Sequence, residues 1–281
     1  MASNSATDSS SSAKDKIVWY FAFGANMASK VLIGRRQVQP IESYPCIVNG
    51  YDLQFDMKGL PYFEPAFASI SKSEKAIGSI GYCHGVVHKI TREQMDHIRR
   101  TEGGNGHDDL GYREIIVQAQ IYEPFYPNDG FVDKYRKASE DASWFGQTID
   151  AIALQAVQPD IVDALPSARY LNILREGARE YGVAKVWQDH LNLILEPYNP
   201  VGGLSLRNAG RFSFAACIIP LFIFPALVMI VTHLSKMKPP YIAALYFKFT
   251  STLLWILHDN IWSKLFGSGK NNQDLKDNKK N

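Results

Sequence analysis

The chain has 281 residues, of which 46% are hydrophobic and 21% charged, and its formal net charge is +2. This length allows one sizeable core with appendages, while the near-neutral charge and the lack of a basic stripe with interleaved aromatic residues argue against nucleic-acid binding. The cysteines Cys46, Cys83 and Cys217 are far apart and odd in number, which predicts buried thiols in a reducing compartment.

The chain opens with a Ser-rich polar segment, 1–16, which predicts a disordered tail without a secretory signal. A run of apolar residues from Ile17 to Phe23 then predicts a strand that is buried on both faces. It stops at Gly24-Ala25-Asn26, where the backbone N–H groups from Gly24 to Met27 are expected to form a concavity suited to a carboxylate or an oxyanion. An ordinary strand ending in a turn is the alternative.

The middle of the chain predicts several strands and one well-marked helix. Asn49-Gly50 is a hairpin-turn pair between strands over 43–48 and 51–56. After a strand over 82–90, Thr91 and Gln94 form a capping box that begins a helix running to about Arg100. Glu102 follows the helix, just before a glycine pair, where a partly buried carboxylate would suit general acid–base catalysis. A solvated surface glutamate is the alternative.

Beyond the helix, strands are predicted over 112–122 and 149–157, with an insertion over 123–150 between them. A helix follows Pro166-Ser167, and Tyr170 on it is interpreted as a packing residue. His84 and His88 share one face of a strand, but without a third ligand they do not predict a metal site.

In this order, the motifs resemble those of the γ-glutamylcyclotransferase family, over roughly residues 17–197. The resemblance is carried by the loop Phe23-Gly24-Ala25-Asn26, by Glu102-Gly103, by Gly111-Tyr112-Arg113, by Pro166-Ser167-Ala168-Arg169-Tyr170 and by Gly177-Ala178. It implies an α+β fold, a small mixed β-barrel with flanking helices. It further implies that a small-molecule γ-glutamyl substrate is converted to 5-oxoproline without a cofactor or metal, that Glu102 is catalytic, and that the substrate is bound by Phe23, Gly24, Ala25, Asn26, Met27 and Tyr112.

The chain departs from the family's pattern at two places. The loop commonly reads Tyr-Gly-Ser-Asn in the family, and the family tends to have a tyrosine in the strand where this chain has Ile152. Both changes indicate a larger or more lipophilic substrate than glutathione, as in the subgroup from fungal epidithio-dioxopiperazine pathways. The alternatives are a γ-glutamylamine cyclotransferase, whose loop usually reads Tyr-Gly-Thr-Leu, and an inactive, membrane-tethered binding protein with the same fold.

The C-terminal third predicts a membrane anchor. A catalytic domain over 17–200 and a linker over 201–211 are followed by 212–234, which contains no Asp, Glu, Lys or Arg and is long enough to span a bilayer. A second membrane or interfacial helix is predicted over 241–262, and a disordered polar tail over 263–281. The catalytic domain is then expected to face the cytosol, and a buried core hairpin is the alternative. The sequence does not indicate an oligomeric state.

Overall fold

The structure, a computed structural model, describes residues 16–75, 79–104, 111–127, 137–139, 141–157, 161, 163–199, 206–234 and 241–272. The Ser-rich segment up to residue 15, residues 201–205 of the linker and the end of the polar tail therefore lie outside the described residues. The chain divides into two units, one formed by Met1–Met57, Ala68–Pro159 and Arg169–Glu196, the other by Lys58–Phe67, Asp160–Ala168 and Pro197–Asn281.

Five strands of the first unit close into a barrel in the order β1-β5-β2-β6-β7. The first and last strands of this order, β1 and β7, pair in parallel, while the other pairs are antiparallel. The mixed barrel with flanking helices predicted from the sequence is therefore confirmed. The strands of the chain are β1 (Ile17–Ala22), β2 (Glu42–Asn49), β3 (Tyr51–Leu60), β4 (Glu64–Lys72), β5 (Tyr82–Thr91), β6 (Tyr112–Ile121) and β7 (Thr148–Ala156).

The predicted hairpin between β2 and β3 is wrong. Gly50 has the positive φ of 76° that a tight turn after Asn49 requires. However, β2 pairs with β5 along one edge and with β6 along the other, so it has no edge left for β3. Instead, β3 pairs with β4 in a separate two-stranded sheet.

Three helices flank the barrel strands in the first unit: α1 (Arg92–Arg99), α2 (Ala168–Glu180) and α3 (Lys185–Asp189). The capping box that was predicted to begin α1 is present, since Thr91 Oγ1 accepts from Gln94 N and the Gln94 side chain accepts from Thr91 N. A π-helical turn, Arg100–Gly104, continues α1. Another π-helical segment, Lys30–Arg35, lies between β1 and β2.

Helix α2 packs closely against the loop that follows β1. A Cβ atom at Gly177 would lie 2.6 Å from Ala28 N and 2.7 Å from Met27 Cβ, so only glycine permits this approach. Ile173, Ala28 and Val31 form a buried cluster beside Gly177, with Ala25 packed against it. The loop is therefore held in place by a helix that lies about 150 residues later in the sequence.

The second unit contains the helices α4 (Leu206–Leu234), α5 (Tyr241–Leu257) and α6 (Ser263–Phe266). Phe214 on α4 is fully buried, and its ring lies 5.5 Å from that of Tyr62 and 5.6 Å from that of Trp262. Residues 263–272 were predicted as part of a disordered tail, and this is wrong. Gly269 O accepts from Tyr62 N at 2.6 Å, and Asn272 is buried with its amide donating to Pro197 O at 3.0 Å.

The structure does not support the predicted anchor. Among the helices that it describes, none has both the length and the apolarity needed to cross a membrane. The segment predicted over 212–234 lies within α4, and the one predicted over 241–262 covers α5 and the π-helical turn that follows it. The cytosol-facing orientation of the catalytic domain stays a prediction.

Candidate active site

The loop after β1 is a single turn of 3-10 helix, Ala25–Met27. Met27 N donates to Gly24 O at 3.1 Å and Ala28 N donates to Ala25 O at 3.1 Å, so the N–H group of Met27 is already used inside the turn. Within the described part of the chain, the N–H groups of Gly24, Ala25 and Asn26 have no hydrogen-bond acceptor. Three of the four N–H groups expected to bind an anion are therefore left without an acceptor among the described residues, and their convergence on one point stays a prediction.

Asn26 is the polar centre of this loop. Its side chain is almost fully buried, and Nδ2 donates both to Glu102 Oε1 at 2.7 Å and to Tyr20 OH at 2.8 Å. Its Oδ1 accepts from Arg36 Nε at 2.7 Å. Because the amide makes bonds through both of its ends, its orientation is fixed.

Glu102 lies in the π-helical turn after α1, and its side chain is 22% exposed. Its Oε1 accepts from Asn26 and lies 2.5 Å from Arg36 Nη2. The structure thus brings the predicted catalytic carboxylate to the predicted binding loop, although 76 residues separate them in the sequence. Such π-helical turns frequently occur at functional sites.

Tyrosines surround the loop and the carboxylate. Tyr112 OH donates to Ala68 O at 2.7 Å, and Tyr170 OH accepts from Ala68 N at 3.2 Å. A Cβ atom at Gly24 would lie 3.2 Å from Tyr170 OH, so this hydroxyl lies directly against the loop. Burial raises the pKa of Tyr112 and of Tyr20 well above the ordinary value, and the negative charge of Glu102 adds to both shifts. Both phenols are therefore neutral at physiological pH.

The side chains of the apolar residues predicted to bind substrate pack against other residues of the protein. Phe23 is buried with its ring 5.8 Å from that of Phe21, and Met27 is fully buried. Ala25 packs against the cluster beneath α2. What Phe23, Ala25 and Met27 contribute to the site is therefore the position of the loop backbone, and their contact with a substrate stays a prediction.

Three side chains at this site were not predicted from the sequence: Arg36, Tyr20, which lies in the apolar run from Ile17 to Phe23, and Tyr170, which was interpreted as a packing residue. Alternation along the strand was the available signal for Tyr20, because it lies four residues before Gly24, and an even spacing puts both positions on one face of an extended chain. Nothing local distinguishes Arg36 from the exposed Arg35 beside it.

His84 and His88 are buried, with their rings 5.4 Å from that of Trp187 on α3 and 5.3 Å from that of Tyr181 just after α2. His84 Nδ1 lies 2.8 Å from Tyr122 OH, and His88 Nδ1 lies 2.8 Å from Ser43 Oγ. Burial lowers the pKa of His84 to about 4 and that of His88 to about 3, so both imidazoles are neutral near pH 7. No group of three or more His, Cys, Asp or Glu side chains that could hold a metal ion occurs among the described residues.

The amino-acid sequence is similar to those of known proteins over most of the chain. The gamma-glutamyl cyclotransferase gliK of Aspergillus fumigatus is 27% identical over 264 residues, covering 90% of this chain and 89% of its own length. The gamma-glutamyl cyclotransferase aclK of Aspergillus oryzae is 25% identical over 276 residues, covering 91% of each chain. No family model matches the chain.

Solved structures that match part of this chain include a gamma-glutamyl cyclotransferase that is 19% identical, with a TM-score of 0.49 over 68% of this chain and 94% of that one. A human protein described as uncharacterized is also 19% identical, with a TM-score of 0.47 over 67% of this chain and 94% of that one. The sequence relatives confirm the resemblance inferred from the motifs, and with it the expectation of an enzyme of this type.

Proposed function

We propose that this homologue of fungal gamma-glutamyl cyclotransferases converts a γ-glutamyl amide into 5-oxoproline and a free amine, with Glu102 as general base and general acid. The observation that carries the proposal is the contact of the Glu102 carboxylate with Asn26, 2.7 Å apart, at the edge of a loop with three unbonded amide donors. A proton acceptor and a set of anion-binding donors are the two components that this cyclisation needs.

The reaction begins with the α-ammonium group of the γ-glutamyl substrate. Glu102 takes one proton from this group, and the nitrogen lone pair attacks the γ-carbonyl carbon of the same molecule. The attack closes a five-membered ring, and an intramolecular reaction of this kind reaches an effective concentration of about 10⁵ M or more when the groups are aligned. No covalent intermediate with the protein forms.

The second step breaks the amide bond. The carbonyl oxygen carries a negative charge in the tetrahedral intermediate, and the N–H groups of Gly24, Ala25 and Asn26 are the donors that stabilise it. Glu102 returns its proton to the leaving nitrogen as the C–N bond breaks. The restored carboxylate then takes the second proton from the ring nitrogen and passes it to the departing amine. The products are 5-oxoproline and the amine as its ammonium ion, and the carboxylate is free for the next cycle.

The side chains around Tyr20 support a substrate with a bulky leaving group. Ile152 is the residue paired with Tyr20 in the parallel β1–β7 register, so both side chains lie on the same face of the sheet. An aliphatic side chain there gives the pocket an apolar wall that cannot hydrogen-bond to a small polar peptide. We therefore propose a glutathione S-conjugate or a comparable lipophilic γ-glutamyl compound as the preferred substrate.

The test is 5-oxoproline release from glutathione, a γ-glutamyl dipeptide, γ-glutamyl-ε-lysine and a bulky glutathione S-conjugate. Glu102→Gln keeps the shape and a hydrogen-bonding end but cannot take up the proton, so we expect release to fall by about 10²-fold or more. Glu123→Gln is the control, because Glu123 is exposed and follows β6 at the end opposite Tyr112. Its activity is expected to equal that of the wild type.

The other outcomes separate the alternatives. Release from γ-glutamyl-ε-lysine alone would identify a γ-glutamylamine cyclotransferase. A folded wild-type protein that releases 5-oxoproline from none of the four compounds would overturn the proposal and favour a binding protein with this fold.

A further inference from the structure

Arg36 joins the two halves of the candidate site. Its side chain is only 12% exposed, and its guanidinium group contacts Asn26 Oδ1 through Nε, Glu102 Oε1 through Nη2 and Thr101 Oγ1 through Nη1. Its backbone is also held, since its carbonyl oxygen lies 3.0 Å from His97 Nε2 on α1. One planar group therefore connects the loop after β1 with the π-helical turn after α1.

Among the described residues, the contacts on the Glu102 carboxylate all fall on one of its two oxygens. Asn26 Nδ2 at 2.7 Å and Arg36 Nη2 at 2.5 Å both approach Oε1. No described residue donates a hydrogen bond to Oε2. A carboxylate held through one oxygen by two donors has a fixed rotamer and presents its other oxygen in a fixed direction.

We propose that Arg36 is a positioning residue for the reaction, and that it directs Glu102 Oε2 toward the substrate ammonium group. The inference rests on the proposed cyclotransferase function and assigns a separate role to each carboxylate oxygen: Oε1 is held in place by the protein, and Oε2 transfers the proton. The proton leaves the ammonium nitrogen for Oε2, and the electron pair of the broken N–H bond becomes the lone pair that attacks. Oε1 keeps its two donors throughout, and the proton later passes from Oε2 to the leaving nitrogen.

The branched guanidinium group is needed because it donates at once to three acceptors on two segments, the loop after β1 and the π-helical turn after α1. A lysine at position 36 has the charge but only a single ammonium group, which cannot reach the three acceptors in the same geometry. Arg36→Lys is therefore expected to keep a kcat between that of the wild type and that of Arg36→Ala. The adjacent Arg35 is exposed and makes the matched control variant Arg35→Ala.

The experiment measures kcat and KM for 5-oxoproline release in the wild type, Arg36→Ala, Arg36→Lys and Arg35→Ala. A misplaced catalytic group lowers the rate of the chemical step, so we expect kcat of Arg36→Ala to fall by about 10²-fold with KM little changed. Added guanidinium chloride at low, non-denaturing concentration is expected to restore part of kcat in Arg36→Ala, whereas methylammonium is not. Arg35→Ala is expected to match the wild type.

The outcomes distinguish this inference from the proposed function. An inactive wild type would overturn both. An active wild type and an inactive Glu102→Gln variant, together with an Arg36→Ala variant of unchanged kcat, would overturn only the role of Arg36. A loss confined to KM would also overturn it, because the arginine would then bind the substrate directly. If Arg36→Ala does not fold, Arg36→Lys decides, and an unchanged kcat in that variant contradicts the need for the branched guanidinium group.

Discussion

At the residue scale, the geometry of the site depends on a single amide. Asn26 Oδ1 can only accept hydrogen bonds and its Nδ2 can only donate them, so Arg36 on one side and Glu102 with Tyr20 on the other determine its orientation. A buried amide with all these bonds made is rigid, and leaving one of its partners unbonded costs about 1–3 kcal/mol. Rigidity here keeps the Glu102 carboxylate, the proposed general base, fixed before any substrate binds.

Asn26→Asp tests this role with almost no change in size. The variant keeps an acceptor for Arg36, but the atom that faces Glu102 becomes an oxygen that cannot donate and carries negative charge. We expect 5-oxoproline release to fall by about 10²-fold or more while the barrel remains folded, as judged by circular dichroism. Asn172→Asp is the control, because its side chain is exposed and accepts from Arg175 Nη1 at 3.0 Å. Wild-type release by Asn26→Asp would contradict the account.

At the element scale, the site is formed where the loop after β1 meets α2. The absence of a side chain at Gly177 lets the helix approach the backbone of Met27 and Ala28, and the cluster of Ala28, Val31 and Ile173 fills the space around it. The position of the amide donors is therefore set by packing between distant segments. This contact gives the Gly177-Ala178 pair of α2 a structural role, because residue 177 must lack a side chain.

Gly177→Ala should disturb both stability and activity. The added methyl group would lie 2.6 Å from Ala28 N, so the loop or the helix must shift, and we expect a loss of about 1–3 kcal/mol in the free energy of unfolding. Release of 5-oxoproline should fall with it, because the loop donors move. Gly34→Ala is the matched control, since the nearest atom to its added methyl is 4.0 Å away. Urea unfolding of both variants measures the difference, and equal midpoints would contradict the packing argument.

Elements with local signals were predictable, and those with distant partners were not. The capping box of Thr91 and Gln94 lies within four residues, and the structure confirms it. The pairing of β2 with β5 and β6 involves residues more than 30 positions away, so the Asn49-Gly50 turn suggested a hairpin that does not form. At the candidate site, the motifs pointed to Glu102 and Asn26, which the structure places in contact, whereas Arg36 is distinguished only by the three groups that it contacts in space.

At the scale of the whole molecule, the stability of the barrel should depend on pH through two histidines of β5. Burial lowers the pKa of His84 to about 4 and that of His88 to about 3, below the ordinary value of 6.5. Unfolded chains therefore bind more protons than folded ones below pH 6.5, and the stabilisation present above pH 6.5 is lost as the pH falls toward these values. Each histidine contributes a slope of about 1.4 kcal/mol per pH unit in this window.

Urea unfolding between pH 7 and pH 4.5 measures this slope. His88→Gln has a side chain that can still hydrogen-bond to Ser43 but does not titrate, so we expect its slope to be smaller than that of the wild type by about 1.4 kcal/mol per pH unit. Equal slopes of the free energy of unfolding against pH in the two proteins would show that the pKa of His88 does not differ between the folded and unfolded states, and would contradict this prediction.

The central claim is that the substrate's own amine, and not water, attacks the γ-carbonyl carbon. The most direct test is to incubate the wild-type protein with a glutathione S-conjugate in ¹⁸O-labelled water and to analyse the products by mass spectrometry. Intramolecular attack predicts 5-oxoproline without ¹⁸O, and the same unlabelled product at a much lower rate from Glu102→Gln. Glutamate carrying ¹⁸O in its side-chain carboxylate would instead show hydrolysis by water, and would contradict the mechanism proposed for Glu102 and the loop after β1.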